Sequence, residues 1–421
     1  MRPQTGHTRR RFLASALSGL AGLAPRGYGQ QWLGLMPRKE AETPGKRIVK
    51  CQIGNAVSLP WGRGTGDVWF TAWADDGDVY AISDETHGFG NVTNSNIAIH
   101  RITGIPPDLQ GTTVNPLVEL GQAAESKADG AKWNSCGLAS IDGVLYLSMC
   151  RSQCNPLHER YAELQLAFDS SIIKSSDHGK TWSAMPMVGH AMFPGRTFST
   201  PSFVDAGPNG HGSKGYPARW FVYAISNDGS WNNANYMTLG RVSRGLIGRL
   251  DPEDWEFIER FDDEDEPVWG PRYDAAQCVL WAPGRTSQAG MTYFAALDLY
   301  VLPQWHYRYP EDPQRRWGAV RWEFYQARQP WGPWTLFHTQ DFDVEGWYDP
   351  CIPSKYISED GLHFWILTSG HCCENESVPE GRDARRALEK LYRPPHLMPV
   401  TLEIETRPAS NAGNRTTPGP L

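Results

Sequence analysis

Asp67 and Asp84 are the two residues of this chain whose type and spacing could do chemistry together. Asp67 opens a short β-forming run, Gly66-Asp67-Val68-Trp69. Asp84 and Glu85 close the next run, which begins after the Asp-Gly turn at Asp76-Gly77. Neighbouring strands of a tight hairpin would bring Asp67 and Asp84 face to face with no help from the rest of the chain. Glycoside hydrolysis needs two carboxyl groups across the scissile bond, one protonated to assist the leaving oxygen and one ionised to activate water or attack carbon. On this reading Asp67 is the general base and Asp84 the general acid, with inversion if the carboxyls stand about 6.5 to 9.5 Å apart. Asp75, Asp76 and Asp78 cluster at the turn and read as turn acids, because short carboxylates bond the backbone of tight turns.

Such a pair needs a scaffold of strands, and the composition provides for one. The 18 Trp, 42 Gly and 32 Pro among 421 residues favour many short strands joined by tight turns over long helices. An apolar run closed by an acidic residue and glycine recurs at Phe70–Gly77, Cys136–Gly143, Phe221–Gly229 and Ile352–Gly361. Asp-Gly between apolar runs is a hairpin signal, since both turn positions must accept positive φ. A further hairpin is expected at Gln277–Tyr293. Units recurring roughly every 65 to 75 residues predict an all-β fold, a β-propeller of five blades over residues 48–405. A sixth blade is the alternative count and a two-sheet sandwich the alternative architecture. Ser175-x-Asp177-x-Gly179-x-Thr181-Trp182 matches the Asp-box turn of propellers, a structural element.

In a propeller the first strand of each blade lines a central funnel. The expected entries are Asp67, Trp133-Asn134-Ser135, Phe198–Pro201, Arg272-Tyr273-Asp274 and Gly346-Trp347-Tyr348-Asp349. Candidate substrate-binding residues are therefore Trp69, Asn134, Asp274 and Asp349, together with Asn227, Asp228, Trp231 and Trp305. Trp231 and Trp305 are expected in polar loops, where an indole can stack on a sugar ring.

Residues 1–30 read as a twin-arginine signal peptide: Thr8-Arg9-Arg10-Arg11-Phe12-Leu13 precedes a weakly apolar stretch too short to span a bilayer. The chain is thus expected to be exported, secreted or periplasmic, with no integral membrane segment in the mature protein. Residues 31–47 read as a linker, 382–394 as a short helix or loop, and 406–421 as a disordered tail. Removing residues 1–30 takes away five arginines and no acid, moving the net charge from −7 to −12. An acidic surface repels nucleic-acid phosphates, so nucleic acid is excluded as a partner. A polysaccharide fits better, and a monomer is expected. No cofactor or metal is expected. Asp262-Asp263-Glu264-Asp265-Glu266 could bind calcium but lacks the spacing of a calcium loop. Of the eight cysteines, Cys150 and Cys154 are the favoured disulfide pair.

The stretches GDVWFTAWADDGDVYAISDETHG (Gly66–Gly88), DGVLYLSM (Asp142–Met149), SSDHGKTW, FPGRTFSTPSFV (Phe193–Val204), ISNDGSWNN with LGRV (Leu239–Val242) and PWGPWTLFHT (Pro330–Thr339) occur in this order. Together they resemble the domain-of-unknown-function-4185 family over residues 50–405. The resemblance implies a five-bladed propeller and endo-D-arabinanase chemistry on mycobacterial-type arabinan. It places one acid on Asp67 and the second on Asp84 or Glu85. The main rival is a non-catalytic glycan-binding propeller. A sialidase is disfavoured, because Arg272 is the only arginine at an expected funnel entry.

Overall fold

Tight turns set the strand pattern. Asp142 (φ 52°) and Gly143 (φ 79°) both take the left-handed backbone that a two-residue hairpin demands, pairing Ile141 with Val144. The computed structural model describes residues 45–58, 65–89, 94–123, 125–154, 165–212, 219–312, 319–343, 346–370 and 395–408. The signal read at 1–30, the segment 382–394, Cys372, Cys373 and the side chain of Cys154 lie outside the described residues. The unit Arg38–Leu421 contains everything described below.

The architecture is all-β. Strands β1 (Gly45–Ile53) and β2 (Val57–Ser58) precede a first antiparallel sheet of β3 (Thr65–Asp67), β4 (Thr71–Trp73), β5 (Val79–Gly88), β6 (Ser95–Ile105) and β7 (Asp108–Asn115). A second sheet holds β8 (Lys132–Ile141), β9 (Val144–Cys154) and β10 (Gln165–Ser175). Next come β11 (Ser202–Asp205), β12 (Phe221–Asn227), β13 (Ala234–Ser243), β14 (Trp255–Phe261), β15 (Pro267–Gly270) and β16 (Cys278–Thr286), then β17 (Met291–Phe294), β18 (Leu299–Tyr307), β19 (Val320–Ala327) and β20 (Thr335–Phe342). These two runs are joined by a short parallel pairing of β11 with β17. In the last sheet β21 (Tyr348–Cys351), β22 (His363–Ser369) and β23 (Pro395–Arg407) are completed by β1, which pairs with β23 from Gly45↔Arg407 to Ile53↔Val400. The stretch read as a linker thus ends at Gly45, where it becomes the strand that ties the start of the described chain to its end.

One expectation is corrected here. Val279-Leu280-Trp281 and Met291–Phe294 do not form a hairpin: β16 adds to β13 of the preceding run, and β17 opens the next. In the third unit the Asp-Gly turn after Phe221 joins β12 to β13, as the turn at Asp142-Gly143 joins β8 to β9.

The Asp-box folds as a self-bonded turn. Asp177 accepts from the Thr181 amide (2.9 Å) and hydroxyl (2.6 Å), Gly179 N–H donates to Ser175 Oγ (2.8 Å), and Trp182 Nε1 donates to Gly179 O (2.9 Å). The Thr181 bonds hold the Asp177 carboxyl down at about 2.

Seven tryptophans among the described residues fill the interior. Trp133, Trp231, Trp305, Trp322 and Trp347 belong to the largest buried cluster. A second aromatic knot centres on Phe257, which meets Phe193, Phe198 and Tyr273 edge-on. Phe257→Ala is expected to cost about 3 to 5 kcal/mol, the range for emptying a packed phenyl site, read as a lowered urea midpoint with the slope unchanged.

Candidate functional site

Asp67 and Asp84 occupy directly opposed positions on β3 and β5. Such cross-strand partners carry Cβ atoms about 4.5 to 5.5 Å apart on one face of the sheet. Their carboxyls are held from different sides. Asp67 accepts from the Tyr348 hydroxyl on β21 (2.8 Å). Asp84 is gripped from β8: Ser135 N–H (2.9 Å to Oδ2), Ser135 Oγ (2.5 Å to Oδ1) and Asn134 Nδ2 (3.0 Å to Oδ2) all donate to it. Asn134 is itself fixed by the Ser152 hydroxyl at 2.6 Å. The pair therefore sits where three sheets converge.

The two acids have different surroundings. Asp67 is 8% exposed and Asp84 0%. Burial, followed by the charge of Asp67, drives the Asp84 carboxyl well above the ordinary carboxylate range, against the opposing pull of the Ser135 and Asn134 bonds. A carboxyl that holds its proton more tightly than usual beside a second, slightly more exposed one is the pairing that acid–base chemistry uses.

Backbone conformation marks the same place. Val68 (φ 58°), just after β3, and Glu85 (φ 43°), on β5, follow the two acids, and Trp347 (φ 54°), just before β21, and Asp349 (φ 52°), on β21, flank Tyr348. Left-handed φ at a β-branched valine is a genuine outlier, and strain of this kind gathers at ligand sites. Register shifts between Thr65 and Asp67 and between Tyr348 and Cys351 interrupt the alternation of both strands there.

Other expected residues join this network or lie apart from it. Trp305 is 1% exposed within β18 rather than in a loop. Its indole N–H reaches Asp349 Oδ1 (2.7 Å) and Gln288 O (3.2 Å), and its ring packs on Tyr348. Trp231 is also buried, so neither indole offers the open face expected of a sugar platform. Trp69 is fully buried against Phe89 and His100, with its N–H on Gly66 O. Asn227 ends β12 as a turn residue, accepting from Gly229 N–H (3.0 Å) and donating to Ser230 O (2.6 Å). Asp228 accepts from Asn235, and burial raises its carboxyl. Glu85 pairs with Lys132.

Asp274 is not at a funnel entry. It lies in an exposed turn between β15 and β16, paired with Arg272, because the fourth unit opens at β17. The acidic run Asp262–Glu266 is the β14–β15 turn, where Asp262 Oδ1 accepts from the Glu264 and Glu266 amides. Among the described residues no three His, Cys, Asp or Glu side chains are grouped to hold a metal ion. Cys150 is buried within hydrogen-bond reach of Cys136. No helix of the described residues is long and apolar enough to cross a membrane.

Tyr348 and Ser135, both within expected funnel entries, are the candidate positions that residue reading did not single out as site residues. Each adjoins a residue that was singled out, Asp349 and Asn134 respectively. Simple alternation assigns such neighbours to opposite faces, and the left-handed residues flanking Tyr348 and the register shift after Ser135 on β8 break that rule.

Comparison with protein-family models and with curated proteins gives no match. Among solved structures, the chain is similar to a putative hydrolase from Bacteroides ovatus (TM-score 0.46, 12% identity, covering 82% of this chain and 87% of that one). It is also similar to a mutant of the GH43 protein BlXynB from Bacillus licheniformis (TM-score 0.45, 10% identity, 84% and 59%), of whose length it spans little more than half. A third similar structure is the GH43_1 enzyme from Xanthomonas citri (TM-score 0.42, 11% identity, 86% and 97%).

Proposed function

We propose that this protein is an exported glycoside hydrolase that cleaves a neutral polysaccharide, with Asp67 as general base and Asp84 as general acid. The observation that carries the reading is the opposed pair itself: one slightly exposed acid and one fully buried carboxyl with a strongly raised affinity for its proton, on facing strand positions. Asp67 activates a water for attack on the anomeric carbon. Asp84, closed off from solvent in the free protein, passes its proton to the leaving oxygen through one bridging water, a reach that general acids tolerate. The partners of the two carboxyls lie on different sheets, and the product anomer decides between inversion, which needs carboxyls about 6.5 to 9.5 Å apart, and retention, which needs about 5 to 5.5 Å.

The succession of antiparallel units, with β1 completing the last sheet, supports a five-bladed propeller as the scaffold. The motif resemblance to the domain-of-unknown-function-4185 family supports arabinan as the substrate to try first. The run Arg9-Arg10-Arg11-Phe12-Leu13 supports twin-arginine export.

The test is release of oligosaccharides from arabinan, arabinogalactan and a panel of neutral polysaccharides by the purified protein and its Asp67→Asn and Asp84→Asn variants. Release lost in both variants supports the hydrolase. No release from any polymer, with glycan binding unaltered by either substitution, would leave a binding module. Proton NMR of the first product anomer then reads the stereochemistry.

Tyr348→Phe removes the hydroxyl that orients Asp67. A hydrogen bond to a charged group contributes about 1.5 to 3 kcal/mol, so kcat should fall at least tenfold while KM changes little. Steady-state kinetics on the best substrate checks this.

A further inference from the structure

We infer that the groove between the ends of β20 and β1 is a second saccharide-binding site, holding a unit of the polymer remote from the bond that is cut. The inference rests on the hydrolase reading and deepens it, since a chain held at two places is cut internally. The groove has a volume of about 530 Å³, within the range of small-ligand sites. Apolar side chains contribute to its lining: Ile53, Ala56, Met398 and Phe342, whose ring stacks on Trp347 at 5.3 Å and 19°. Asn55 and Gln340 on its rim supply amide donors and acceptors.

The charges at this rim cancel. Asp341 is held by Arg321 (2.6 and 2.8 Å), and Asp343 by Arg308 (2.6 Å). Among the described residues, two carboxylates matched by two guanidiniums leave no net charge to attract an ionic ligand. A lining that mixes apolar side chains with neutral hydrogen-bonding groups suits a neutral sugar, whose ring has an apolar face and a hydroxylated edge.

Position links the groove to the acid pair. Trp347 lines it, and the next residue, Tyr348, donates to Asp67. The five residues from Asp343 to Trp347 carry the chain from β20 to β21, a span of at most about 18 Å. Trp347 is pinned between the two places, its carbonyl accepting from Trp322 Nε1 at 2.7 Å.

The experiment titrates size-graded arabinan oligosaccharides into the Asp67→Asn protein by calorimetry, with and without Phe342→Ala. Gln340→Ala, a change at the rim, serves as a second variant that spares the core. Long oligosaccharides should bind about tenfold more weakly to the Phe342→Ala and severalfold more weakly to the Gln340→Ala proteins, with short ones unchanged. If both variants bind long oligosaccharides within twofold of the parent, or if no length binds the parent, the inference is overturned. Hydrolysis by the Asp67-containing protein with no such length dependence would overturn the groove and spare the hydrolase. Length-dependent binding without any hydrolysis would spare the groove and overturn the hydrolase.

Discussion

Asp67→Asn is expected to lower kcat/KM for polysaccharide cleavage by about 10²- to 10⁴-fold, the contribution of a positioned acid–base group. The amide is isosteric and can still accept from the Tyr348 hydroxyl, so the fold and substrate binding should persist. What is lost is the ability to take a proton from the attacking water. Small nucleophiles that need no deprotonation, such as azide, should partly restore turnover to this variant. An Asp67→Asn protein with undiminished release would remove Asp67 from the chemistry.

Asp84→Asn is expected to cost a comparable factor on natural linkages but much less on aryl glycosides, whose leaving groups depart without a proton. This contrast separates acid from base: only the acid's loss is forgiven by a good leaving group. The burial that tightens the hold of Asp84 on its proton gives a second readout, in stability. A carboxyl that binds its proton more tightly folded than unfolded contributes stability that is complete below its unfolded value, near pH 4, and is lost as pH rises through its raised folded value. The unsubstituted protein should therefore lose stability relative to Asp84→Asn as pH rises from about 4, by at most about 1.4 kcal/mol per pH unit. Urea unfolding of both proteins across that range measures the difference. Parallel curves would mean that Asp84 ionises in the folded protein as easily as in the unfolded chain. Activity should fall only at higher pH, as pH passes the raised folded value of Asp84, because the acid must hold its proton to act.

The two arms together distinguish a catalytic Asp84 from a structural one. Four donor contacts from Ser135 and Asn134 would satisfy an ionised carboxylate well, and the variant's amide group must face one of those donors. A purely structural Asp84 would show a stability change with no dependence on the leaving group.

Sequence by itself determined the local elements. Asp142-Gly143 had to make a two-residue turn because both residues accept positive φ, and the Asp-box had to close on itself because its donors and acceptors lie within a few residues of one another. The facing of Asp67 and Asp84 was legible for the same reason: one short hairpin separates them, and the register follows from the turn. Tertiary structure decided what depends on long-range pairing. Whether β16 joined the strand before it or opened a new unit turned on β13 offering a free edge, and that choice moved Asp274 from an expected funnel entry to an exposed turn. Burial decided the fate of Trp69, Trp231 and Trp305, whose indoles fill space between sheets and satisfy their N–H groups where they have partners in the interior. Tyr348 reaches Asp67 across 281 residues of chain. No local pattern encodes such a contact, because it exists only once strands at the two ends of the described chain have closed on one another.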